Sequence, residues 1–292
     1  MLLIWLKVIQ GMRIKHDIFF GGLLISLSFL LAGCVSEDSR IAAKDIAQHS
    51  GLSRNDIQTK TFLIASWSRI TPPAHLLRVY IEGDGFAWKS RTQPSDDPTP
   101  RNPIGLALAA ADKNQNVLYI ARPCQFIGPP LPAHCETSVW TKDRFSPSVI
   151  DAMNDVLNHF VKQYPGVKLE LIGYSGGGNI AAILAERRTD VRSLRTVAGN
   201  LDVAYVNATH HVSAMPDAVS AIDSASALQK MPQLHFSGDA DKTVTPEVAQ
   251  RFQRAVGGHC SEVEVVSNMA HGSDWAAIWP QLLAKKLPEC GE

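Results

Sequence analysis

Apolar positions along the chain alternate between two kinds of spacing, and each spacing predicts an element. Short apolar, β-branched runs at residues 61–66 (TFLIAS), 76–81 (LLRVYI) and 116–120 (NVLYI) predict strands. Ser146 followed by Pro147 reads as a helix start, an N-cap with Pro at the first helical position. Val149, Ile150, Met153, Val156, Leu157, Phe160 and Val161 then recur at three- and four-residue spacing and form one helical face, which Pro165 and Gly166 end. Further strands are predicted at residues 167–172 (VKLELI), 194–198, 233–237 (QLHFS) and 262–266 (EVEVV), and helices at 179–187, 246–256 and 274–286. Such alternation implies an α/β domain, a mainly parallel sheet with helices on both faces. Residues 89–104 are rich in Pro and Asp and read as a loop, and 34–58 read as a polar tether with a short helix. No internal repeat occurs, so one domain over residues 59–292 is the simplest organisation.

A different apolar run occupies residues 18–32, after the basic Lys7, Arg13 and Lys15. At about 15 residues it is short for a membrane span and fits the apolar region of a secretory signal. It ends in Leu31-Ala32-Gly33-Cys34, which resembles the bacterial lipobox. The resemblance implies a signal peptide at residues 1–33 and an acylated Cys34; a plain signal peptide and an anchor helix are the competing readings. Met12 also precedes Arg13 and Lys15 and offers a second start. Val35 stands where enterobacterial lipoproteins retained in the inner membrane carry Asp. By that likeness the chain is expected in the bacterial envelope, lipid-anchored and facing the periplasm, at the outer rather than the inner membrane.

The 28 Lys and Arg balance 28 Asp and Glu. Residues 1–34 hold three basic residues and one acidic, so the remainder has 25 against 27. A mildly acidic chain without a basic patch has no field for gathering nucleic acid. With 45% hydrophobic residues it has enough apolar material for a full core. Of the 5 Cys, Cys34 is assigned to lipid, leaving Cys124, Cys135, Cys260 and Cys290. Disulfides persist in the periplasm. Nearest neighbours in sequence pair as Cys124–Cys135 and Cys260–Cys290, one of three connectivities that four cysteines allow.

In an open α/β sheet, reacting groups gather at the carboxyl ends of the strands. There the sequence places Gly173-Tyr174-Ser175-Gly176-Gly177, a G-x-S-x-G between a predicted strand and helix. That motif makes a sharp turn that lifts Ser175 above the sheet, with free helix N–H groups aimed at a developing anion. A serine hydroxyl needs a base oriented by a third group. In such folds the chain order is Ser, acid, His. Only His259 and His271 follow the acid candidates, and His259 precedes the strand at 262–266, at the wrong end of the sheet. His271 is therefore the base. Asp241 is the preferred acid, with Asp239 a turn carboxylate and Asp202 a third candidate. His210 and His211 are placed near the pocket, and no metal-ligand spacing appears.

With these residues the chain resembles the α/β-hydrolase superfamily over about residues 60–288. Gly238, Asp241 and Val244 match its acid motif, Ser175 its nucleophile elbow, and His271-Gly272 its histidine loop. The resemblance implies an α/β-hydrolase fold, no cofactor, and acyl transfer from a small acyl-bearing substrate to water, esterase-like. It implies an oxyanion hole from the Gly176 N–H and an N–H of the loop Glu82-Gly83-Asp84-Gly85, either Asp84 or Gly85. Glu82 stands where the family often has His. Trp88 replaces the third Gly that a dinucleotide fingerprint needs. An acyltransferase on the same three residues, and a degenerate envelope binding protein, are the alternative functions. Loops 84–104, 122–145 and 199–228 surround the pocket and supply Phe86, Trp88, Phe126, Trp140 and Tyr205, with Arg91, Arg101 and Arg122 near its rim.

Overall fold

A computed structural model of the protein describes residues 38–290; the expected signal segment, Cys34 and Val35 lie outside them. Eight strands form one sheet. In chain order they are β1 (Ser53–Gln58), β2 (Leu63–Arg69), β3 (Leu76–Ile81), β4 (Val117–Ile120), β5 (Lys168–Tyr174), β6 (Val191–Val197), β7 (Gln233–Gly238) and β8 (Ser261–Val266). Their spatial order is β1-β2-β4-β3-β5-β6-β7-β8. Strands β3 to β8 are parallel, and β2 and β1 add an antiparallel edge.

Helices cover both faces. On one, α4 (Pro147–Gln163), α5 (Gly176–Arg187) and α7 (Pro246–Val256) bury Val149, Met153, Leu157, Ile183, Val248 and Phe252. On the other, α1 (Asp38–His49), α2 (Ile104–Ala111) and α8 (Trp275–Leu283) bury Ala43, Leu108, Trp275 and Trp279. Strand β5 shows why both layers are needed. Leu169 and Leu171 face the first cluster, whereas Ile172 and Tyr174 face the second. The period-2 alternation thus lies between two apolar layers, interrupted at Glu170, whose buried carboxylate pairs with Arg78. Two short helices, α3 (Thr137–Trp140) and α6 (Val203–Thr209), and a 3₁₀ segment at Ala221–Leu228 stand in the connections.

Several elements differ from their sequence expectation. Strand β1 falls inside the expected tether at 34–58, where five of its six residues are exposed and no apolar pattern marks it. It pairs with β2, and the compact unit extends back to Arg40, so the packed domain begins well before residue 59. Strand β2 is shifted from 61–66 to Leu63–Arg69 because Thr59 and Phe62 close the hairpin, the Thr59 N–H donating to the Phe62 carbonyl at 2.9 Å. Helix α2 follows the loop without a start signal: no side chain of its own N-cap, Pro103, bonds its first turn. Arg78 in the middle of β3 is half buried and pairs with Glu170 at 2.8 Å and Asp112 at 3.1 Å.

Cys124 is joined to Cys135, with Cα atoms 5.6 Å apart, and Cys260 to Cys290, 5.0 Å apart. Among the described residues no helix is long and apolar enough to cross a membrane.

Candidate active site

Strand β5 ends at Tyr174 and α5 starts at Gly176, so Ser175 alone makes the turn. It holds φ 51° and ψ −123°, a conformation costly for any residue with a side chain. Its neighbours permit the turn by having none. A Cβ on Gly173 would collide with the Gly177 carbonyl oxygen, and one on Gly177 with the Ile81 carbonyl oxygen at the end of β3.

His271 lies in the loop between β8 and α8. Its Nε2 is 2.9 Å from Ser175 Oγ and its Nδ1 is 2.8 Å from Asp241 Oδ2. Asp241 follows β7, and its other oxygen, Oδ1, accepts the N–H groups of Thr243 and Val244 at 2.8 Å each. Both carboxylate oxygens are thereby occupied, and the side chain is wholly enclosed. The backbone of His271 is also held. Tyr174 Oη donates to its carbonyl at 3.0 Å, and Trp275 Nε1 to the same oxygen at 3.2 Å. Burial, reinforced by Glu82, Asp241 and Asp84, pushes the Tyr174 phenol far above its ordinary value, so it remains a donor.

The other side of Ser175 is the loop after β3. Glu82 is fully buried and accepts four hydrogen bonds: from Gly83 N–H at 2.9 Å, Gly105 N–H at 3.1 Å, Leu106 N–H at 3.3 Å and Tyr119 Oη at 2.9 Å. It therefore caps α2 from 23 residues upstream. Burial raises its pKa, and the hydrogen bonds oppose that shift. The Gly83 N–H is engaged by this carboxylate. Among the described residues no acceptor takes the N–H of Asp84 or Gly85.

The Asp84 carboxylate lies against Gly176, close enough to collide with any Cβ there, and Arg122 Nη1 would be 3.2 Å from that Cβ. Two guanidiniums compensate the carboxylate: Arg122 Nη1 at 3.1 Å and Arg144 Nε at 3.0 Å. Arg122 also donates to the Arg144 carbonyl, and burial pulls its pKa down against the opposing pull of Asp84. Gln125 completes the frame, accepting from Arg122 N–H and donating to the Gly83 carbonyl, each at 3.0 Å.

A cavity of about 470 Å³ opens over Ser175 and His271. Phe86, Ala87, Trp88 and Pro100 form an apolar wall, and Arg101 and Arg144 stand at its edge.

The remaining sequence candidates fall elsewhere. Asp239 accepts the Asn268 N–H at 2.7 Å, and Asp202 caps α6 and pairs with Arg251 at 2.8 Å. His259 is exposed beside Cys260, before β8 rather than after it. His210 Nε2 donates to the Thr243 carbonyl at 2.7 Å, and His211 is exposed. Phe126 is buried against Trp67 with ring centroids 5.2 Å apart, Trp140 Nε1 donates to the Ser95 carbonyl at 3.1 Å, and Tyr205 stacks on Arg251. None of these three aromatics lines the cavity, because their rings serve to pack the loops. Arg91 is exposed and does not line it either. Arg122 is buried behind Asp84 rather than at the rim. Arg144 was not among the sequence candidates; a lone Arg between Asp143 and Phe145 carries no motif. Among the described residues no group of His, Cys, Asp and Glu is placed to hold a metal ion.

No family model and no curated protein sequence matches the chain. Solved structures do. An esterase from Pyrococcus furiosus superposes with a TM-score of 0.57 at 13% identity, over 81% of this chain and 90% of that one. An α/β serine hydrolase without lid from Xanthomonas campestris gives 0.52 at 12%, over 82% and 97%. A membrane phospholipase A, described as a bacterial virulence factor, gives 0.53 at 14%, over 91% and 97%. At such identities the likeness establishes architecture: the chain has the α/β-hydrolase fold.

Proposed function

We propose that the protein is a serine hydrolase that cleaves acyl esters. The observation that carries this reading is the unbroken hydrogen-bonded line from Ser175 Oγ through His271 to Asp241. In this scheme His271 Nε2 takes the Ser175 proton as Oγ attacks the carbonyl carbon. Asp241 fixes the tautomer and stabilises the imidazolium. The N–H of Gly176, with that of Asp84 or Gly85, receives the oxyanion, each donor contributing roughly 3–4 kcal/mol. The leaving alcohol takes the proton from His271, and water then cleaves the acyl-enzyme by the same steps.

The reading includes a place in the envelope, with Cys34 as a lipid anchor. The two disulfides support an oxidising compartment outside the cytoplasm. The test of activity is hydrolysis of short 4-nitrophenyl esters by the purified protein. Ser175→Ala is expected to lose about 10⁶-fold in kcat, together with labelling by a fluorophosphonate. Full activity in that variant would overturn the scheme.

A further inference from the structure

We propose that the cavity over Ser175 selects esters bearing an anionic group, a carboxylate or a phosphate, held between the guanidiniums of Arg101 and Arg144. This rests on the acyl-hydrolase reading above and names its substrate class.

The carboxylates around the cavity are already engaged by donors of the protein itself. Asp241 spends both oxygens on Thr243, Val244 and His271. Glu82 spends its own on four donors beneath the floor. Asp84 is shared by Arg122 and Arg144. Beside Gly176 two guanidiniums therefore meet one carboxylate. Of the two, Arg144 lines the cavity, whereas Arg122 is enclosed. Arg144 pairs with Asp84 through its charge, its Nε making no hydrogen bond, and donates Nη1 to the Thr141 carbonyl at 2.9 Å; among the described residues its Nη2 has no acceptor.

Arg101 adds a second cation. It forms no ion pair among the described residues, yet it is not a freely waving chain. Its guanidinium lies over the Phe86 ring, 3.7 Å from the centroid. Stacking fixes the plane of the fork and leaves its N–H donors directed outward along the edge, where a carboxylate or phosphate accepts them. The adjoining wall of Phe86, Ala87 and the 44% exposed Trp88 suits the carbon skeleton of such a ligand. A neutral ester would use that wall alone and leave both cations to water.

The test compares esters with and without an anionic group, in two arms. The first sets 4-nitrophenyl hydrogen glutarate against 4-nitrophenyl butyrate. The second sets a 1-acylglycerol 3-phosphate against the 1-monoacylglycerol with the same chain. The anionic member of at least one pair is expected to have a kcat/KM about tenfold higher, mainly through KM, the factor ordinary for one charge-assisted hydrogen bond at a half-exposed site. The ratio should fall toward unity in Arg101→Gln and in about 1 M NaCl, where the Debye length is ~3 Å. Preference in the glutarate pair alone places the anion on the acyl side; preference in the phosphate pair alone places it on the alcohol side. Ratios at or below one in both pairs, or a ratio that Arg101→Gln leaves unmoved, overturn the proposal. Should the wild type hydrolyse none of these esters, the acyl-hydrolase reading fails separately. Calorimetric titration of Ser175→Ala with the anionic esters then decides the subsite: saturable binding lost on adding Arg101→Gln supports it, and no binding overturns it.

Discussion

On one side of Ser175, Asp241 and His271 are held mainly by their immediate surroundings. Asp241 is gripped by backbone N–H groups two and three residues away, and His271 is steadied by Trp275, four residues on, and by Tyr174, the residue before Ser175. On the other side, almost nothing is local. Glu82 bonds residues 105, 106 and 119, and Asp84 forms ion pairs with Arg122 and Arg144, from a connection nearly 40 residues downstream or more. The first side uses short turns whose geometry dictates residue type. The second uses buried charge, whose partners need only be near in space. The difference teaches that the Ser175–His271–Asp241 line and the loop after β3 have separate structural foundations, and they should fail separately.

Asp241→Asn makes the largest test of that separation. The amide oxygen still accepts from Thr243 and Val244, so the turn survives, but the imidazole loses the partner that sets its tautomer. We expect kcat to fall roughly 10³–10⁴-fold with the melting temperature nearly unchanged. A large loss of stability instead would mean that the triad side is not locally founded.

Glu82→Gln probes the opposite foundation. All four neighbours donate, so an amide NH₂ in place of one oxygen faces the Leu106 N–H, although Tyr119 can rotate to accept. Chemical denaturation should register a loss of about 2 kcal/mol, the ordinary cost of an unsatisfied buried polar group. An unchanged unfolding free energy would show that Glu82 is no keystone of this loop.

His235, remote from both sides, sets a pH window for the comparison. It is buried between Thr196 and Phe252, and burial lowers its pKa from 6.5 to about 3. The unfolded chain then binds the extra proton below pH 6.5. The stability from keeping this imidazole neutral is intact above that pH and drains away as pH falls toward 3, by up to about 1.4 kcal/mol per pH unit. His235→Gln should flatten that slope, measured as unfolding free energy between pH 7 and pH 4. Equal slopes in both proteins would remove His235 from the account.

The same division explains what the sequence revealed. Ser175, Asp241 and His271 were legible because each sits in a strand-end turn with a spacing of its own, and the parallel strands because each carries a short run of apolar, often β-branched positions. Strand β1 was hidden since an exposed edge strand of Ser, Arg, Asn and Asp pairs through its backbone, which leaves no side-chain pattern. Helix α2 was hidden because its cap is Glu82, far upstream, rather than a residue at its own start. The role of Arg144 was hidden for the same reason: a long-range ion pair has no period.

The covalent clip between Cys260 and Cys290 bears on how the site endures. His271 rides on the loop after β8, and β8 is an edge strand with β7 as its sole partner. Edges fray before centres do. An unclipped C-terminal segment, once frayed, would be free to wander and to be cut. Here His271 lies inside a closed ring spanning a separation of 30 residues. Closing such a ring removes about 3–4 kcal/mol of chain entropy from the unfolded ensemble in the loop-closure model. Together with the buried Trp275 and Trp279 of α8, the ring limits how far the loop carrying His271 can travel from Asp241 when the edge opens.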